Sequence, residues 1–223
     1  MKLLSTICKR WMLTVVALLA ILSGCAETTR GTLGGNDPEA AHDAYIQLGV
    51  EYLRLDDREN AKQRFLKALE IDDESAGAYT GLAVIYERSG ESLEAERYFR
   101  RALRADDEFT QAKIQYGLFL MNQARYDDAC EVLEEAREDV LSPQRHLALM
   151  YLGRCQYLTE DYNRAIESLD LATRVNTRFV APYLDLAKVY VATNQMVEAK
   201  RAVTIYLDRS QPTAEALLLA IHI

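Results

Sequence analysis

Three things are missing from this chain of 223 residues: long basic runs, clustered histidines and an apolar stretch of membrane-spanning length. Each absence removes a class of function. A nucleic-acid binder needs a clustered basic face to neutralise phosphates, and outside the N-terminal segment no run of Lys and Arg is large enough. The three histidines, His42, His146 and His222, are scattered, so no metal site is implied. There is no serine elbow, no HExxH and no paired Cys and His. The chain is therefore read as neither an enzyme nor a binder of a cofactor, metal or small-molecule substrate. The glycine pair Gly34-Gly35 lacks the strand and helix context of a phosphate loop. Glycine and proline are sparse, at 10 and 4 residues, in a chain nearly half apolar that can bury a sizeable core.

The longest apolar run is Trp11 to Leu22, twelve residues behind the positive head Lys2, Lys9 and Arg10. Crossing a bilayer takes about 20 residues, so this reads as a cleaved signal peptide, residues 1–24. Leu22-Ser23-Gly24-Cys25 resembles the lipobox of bacterial lipoproteins. The resemblance implies that Cys25 becomes the first mature residue and carries a diacylglycerol on its sulfur. Ala26, where aspartate would favour the inner membrane, implies export to the outer membrane, with the protein held by lipid and facing the periplasm. Three acyl chains would make such anchoring almost permanent. Removing residues 1–24 takes away three of the 26 basic residues and none of the 34 acidic ones, leaving −11 where the whole chain carries −8. Residues 25–41, rich in Gly, Thr and Pro, read as a flexible tether able to lift the rest of the chain by roughly 50 Å. Of the other cysteines, Cys8 leaves with the leader. Cys130 and Cys155 are read as two buried free thiols, a disulfide being permitted in an oxidising compartment.

Residues match at an offset of 34: Tyr45 and Tyr79, Leu48 and Leu82, Tyr52 and Tyr86, Ala61 and Ala95, Phe65 and Phe99, Ala68 and Ala102. The offset becomes 36 from Gly117 to Gly153 and from Ala129 to Ala165, which marks a two-residue insertion near Asp139-Val140-Leu141-Ser142-Pro143. It returns to 34 from Gly153 to Ala187. Five repeats result, each predicted to be two helices whose small residues, such as Gly49 and Ala61, permit close approach. The acidic runs at 72–74 and 106–108 read as turns between repeats.

The pattern Tyr45, Leu48-Gly49, Tyr52, Ala61, Phe65, Ala68 resembles the tetratricopeptide repeat, over residues 42–209. The implied fold is all-α: a superhelix of five tetratricopeptide repeats, with residues 210–223 as a partial sixth repeat or capping helix. The family frame places Ile46, Val50, Leu53, Val84, Ile114, Leu118, Met121, Met150, Tyr157, Leu158, Leu184 and Val191 in a concave groove. An apolar groove suits an amphipathic partner segment. The stretches 43–53, 115–145 and the C-terminal Ala214 to Ile223 are similar to the PilF/PilW family of type IV pilus biogenesis lipoproteins. That resemblance implies a pilotin, which accompanies the pilus secretin subunit to the outer membrane and promotes its multimerisation. Members usually carry six repeats, so the half repeat departs from the pattern. An adaptor for another envelope machine, in outer-membrane protein insertion or peptidoglycan synthesis, is the competing expectation.

Overall fold

The computed structural model describes residues 37–223. The expected leader, the lipidation cysteine Cys25 and the tether as far as Asn36 lie outside them. Pro38–Ile223 forms one compact unit with its own core. Eleven helices occur among the described residues: α1 Pro38–Arg54, α2 Arg58–Ile71, α3 Ala76–Arg88, α4 Ser92–Ala105, α5 Thr110–Asn122, α6 Tyr126–Glu138, α7 Arg145–Leu158, α8 Tyr162–Val175, α9 Ala181–Ala192, α10 Met196–Arg209 and α11 Ala214–His222. They form five pairs and one unpaired final helix, the five repeats and partial sixth that the period implies. The first helix opens at Pro38, inside the stretch expected to be tether. Proline fits a first turn because the missing amide has no helical partner there.

Each link from first to second helix is three residues long, and its middle residue has a left-handed backbone: Asp56, Gly90, Ala124, Glu160 and Asn194, with φ between 57° and 79°. The next amide then reaches back to a carbonyl of the first helix. Asp57 N donates to Tyr52 O at 2.9 Å, Arg125 N to Leu120 O at 2.9 Å and Gln195 N to Tyr190 O at 2.7 Å. This closes the helix end with a Schellman-type bond. Links between repeats open on a carboxylate or amide that folds the turn. Asp72 accepts from Glu74 N at 3.1 Å, Asp106 from Glu108 N at 2.9 Å and Asn176 from Arg178 N at 3.1 Å. The inserted residues lie in the longest link, where Asp139 accepts from the amides of Leu141 and Ser142. The acidic runs are turn-formers, as their position suggested.

Packing follows a small-against-large rule. A Cβ on Gly49 would come within 2.6 Å of the Phe65 ring, one on Gly117 within 2.6 Å of Leu133 and one on Gly153 within 2.5 Å of Leu169. On these three first helices the glycine is the space its own second helix fills, and Ala83 and Ala187 hold the same place on α3 and α9. Phe65 also presses on Gly81 of the next repeat, joining the two. First helices of successive repeats touch each other, α1 with α3, α3 with α5, α5 with α7 and α7 with α9, whereas the second helices make no comparable contact. The stack therefore closes on its first-helix side, and the groove belongs there.

Cys130 on α6 and Cys155 on α7 form a disulfide, with Cα atoms 5.6 Å apart. This corrects the reading of two free thiols. The bond spans the junction that holds the inserted residues, where α6 lies against α7, a neighbourhood that spacing alone does not show.

Candidate functional site

The repeat offsets sort the first-helix side chains into rows. One row runs Ile46, Thr80, Ile114, Met150, Leu184. Ile114, Met150 and Leu184 are buried there, and so belong to the core rather than to the groove. A first helix with a neighbour on each side has this row covered by both. Ile46, in the first repeat, has no preceding helix over it and stays half-buried, packed against Gly77 at 3.7 Å from the Cβ position. Leu53 is also core. It lies in the first cluster, and the Arg88 guanidinium donates to its carbonyl at 2.7 Å.

The remaining predicted groove residues stay accessible. Val50 is 47% exposed and Leu158 43%, while Val84, Leu118, Met121, Tyr157 and Val191 are half-buried. Val84 rests on the clusters of both the first and the second junctions. Leu118 shares the small cluster of Ile114, Ala136 and Ala148 with Leu147 and Tyr151. Tyr157 packs beside Tyr162 with ring centres 5.9 Å apart.

One accessible row runs Val50, Val84, Leu118, Arg154, Lys188. This row therefore changes character along the array, apolar over three repeats and charged over the next two. Arg154 donates to Asp185 at 2.7 Å, Lys188 lies 3.5 Å from the same carboxylate, and Lys188 also meets Glu215 of α11 at 2.7 Å. Asp185 is buried, its carboxyl raised above the ordinary range by lost hydration, with Arg154 and Lys188 opposing the shift. Apolar periodicity does not register this charged half. Extending the 34, 34, 36, 34 offsets from Val50 would have found Arg154 and Lys188 directly. The described residues contain no cluster of His, Cys, Asp and Glu able to hold a metal. No described helix is long and apolar enough to cross a membrane.

Repeated helix pairs and a side-chain row facing their shared inner side define a tetratricopeptide repeat scaffold. The Tetratricopeptide repeat family model matches residues 46–108 and 117–177. Over 217 residues the chain is 33% identical to the type IV pilus assembly protein PilF of Pseudomonas aeruginosa, covering 94% of this chain and 84% of that one. The solved structure of P. aeruginosa PilF superposes with a TM-score of 0.77, covering 83% of each chain. That of PilW, a widely conserved type IV pilus biogenesis factor, gives 0.72 at 24% identity, covering 80% of this chain and 82% of the other. The chain belongs to the PilF/PilW-like tetratricopeptide repeat proteins.

Proposed function

We propose that this chain is a type IV pilus biogenesis scaffold of the pilotin kind, a lipoprotein that binds secretin subunits and promotes their multimerisation at the outer membrane. The observation that carries the reading is the accessible apolar row of the first three repeats, in a chain one-third identical to PilF along nearly its whole length. Secretin subunits expose apolar and strand-edge surface before their ring closes, and an apolar groove covers such surface. The lipobox at Cys25 supports anchoring in the outer membrane on the periplasmic side. The Cys130–Cys155 disulfide supports an oxidising compartment independently of the leader.

Partner capture tests the groove. A charge at Leu118 would lie against apolar partner surface, and a central position of this kind costs about 2 kcal/mol or more, roughly thirtyfold in affinity. Leu118→Arg should weaken capture of the secretin subunit from solubilised outer membrane while the helical signal and melting curve stay near the parent's. Loss of helix in step with loss of capture would show that Leu118 is core.

A further inference from the structure

Charge is unevenly spread over the second helices. α2 and α4 each carry four basic residues against two acidic ones, whereas α6 carries six acidic residues and one basic. In a chain acidic overall, α2 and α4, the helices away from the groove, thus each carry a net charge of +2, while the turns that follow them hold the acidic residues 72–74 and 106–108. Part of that charge is neutralised locally: Lys67 pairs with Glu70, Arg97 with Glu94 and Arg100 with Glu96. Lys62, Arg64, Arg101 and Arg104 have no carboxylate within ion-pair distance among the described residues. Three of these sit over aromatic rings instead. Lys62 Nζ is 5.1 Å from the centre of the Tyr86 ring, Arg64 is 5.9 Å from Tyr52, and Arg101 is 5.4 Å from Tyr98. Tyr86 and Tyr98 stack at 5.2 Å, which makes Lys62 and Arg101 parts of one strip across α2, α3 and α4.

We propose that this second-helix face of the first two repeats docks on the surface of an anionic phospholipid bilayer. Cations left without carboxylates and set on half-buried tyrosines match a layer of phosphates over an apolar boundary. Position favours the same occupant. Only twelve residues separate Cys25 from Pro38, so a lipid on Cys25 would hold the start of α1 within about 45 Å of the bilayer. This last step rests on the lipoprotein reading, while the charge and ring geometry do not. Docked in this way, the array would present its groove away from the membrane.

The test uses residues 26–223, whose described part is a compact unit with its own core, and therefore lacks any acyl chain. Sedimentation with phosphatidylethanolamine vesicles containing about one-third phosphatidylglycerol is compared with pure phosphatidylcholine vesicles. The expected result is binding to the anionic vesicles alone, lost at high salt and weakened at least about tenfold by the triple variant Lys62→Gln, Arg101→Gln, Arg104→Gln. A second triple variant, Lys200→Gln, Arg201→Gln, Arg209→Gln on α10, removes the same charge elsewhere and should bind like the parent. Melting curves confirm folding, and Arg104→Glu at a solvent-exposed position serves if the first triple variant melts early. Equal loss in both triples, equal binding to the two vesicle types, or no binding by the parent would overturn the proposal and leave an acidic protein as the face's partner. Because the vesicles contain no protein, none of these outcomes depends on secretin capture.

Discussion

Gly77 and Gly81 lie one helical turn apart on α3, and the same substitution at the two should move stability in opposite directions. In a helix, alanine is favoured over glycine by roughly 0.5–1 kcal/mol. At Gly77 a new Cβ would meet only Ile46, at an ordinary 3.7 Å, so the full propensity gain should appear. At Gly81 it would lie 2.3–2.5 Å from three carbons of the Phe65 ring. That ring has nowhere to retreat, because Gly49 holds its other side within 2.6 Å of a Cβ position and Phe65 is wholly buried. Overpacking of this kind costs about 1–3 kcal/mol. Gly81→Ala should therefore lose about 1–2 kcal/mol net, and Gly77→Ala should gain up to about 1 kcal/mol. Urea unfolding followed by circular dichroism measures both. Adding Phe65→Leu to Gly81→Ala should recover part of the loss, since the smaller side chain frees the space. A Gly81→Ala protein as stable as Gly77→Ala would refute the claim that Phe65 clamps the first two repeats together.

The disulfide and the buried carboxylate each carry a further expected outcome. The Cys130–Cys155 bond closes a loop of sequence separation 25, so Cys130→Ser with Cys155→Ser should cost about 3 kcal/mol, read as a lower melting temperature that reductant reproduces in the parent and not in the variant. Burial raises the Asp185 carboxyl above the ordinary aspartate value of 3.8, so the folded array holds that proton more tightly than the unfolded chain does. Its contribution to stability therefore grows as pH falls through the raised value towards 3.8 and is lost as pH rises above it. Measured against Asp185→Asn, the parent should gain relative stability on acidification through that window, and a flat difference would contradict the assignment.

The repeat was legible because packing repeats: Phe65, Phe99, Leu133 and Leu169 recur where a second helix fills the space above a small residue. The left-handed link residues were not, since Asp56, Gly90, Ala124, Glu160 and Asn194 share a backbone conformation without sharing a side chain. Groove and core were separable only in part. Ile114, Met150 and Leu184 are apolar on the same helix side as Leu118, and what buries them is the neighbouring first helix, which hydrophobic periodicity does not register. The charged half of the Val50 row was present in the repeat offsets, but Arg154 and Lys188 are not apolar and so stand outside the hydrophobic period. The disulfide depended on how α7 returns beside α6 after an enlarged link, which is a matter of three-dimensional geometry.

The central claim is that a lipid-held groove covers secretin subunits until they assemble. Its most direct measurement is the amount of heat-stable secretin multimer on a denaturing gel from a strain lacking this protein. The account predicts secretin synthesised at normal levels but largely monomeric, restored by the parent gene and not by Leu118→Arg. Normal multimers in the deletion strain would contradict it.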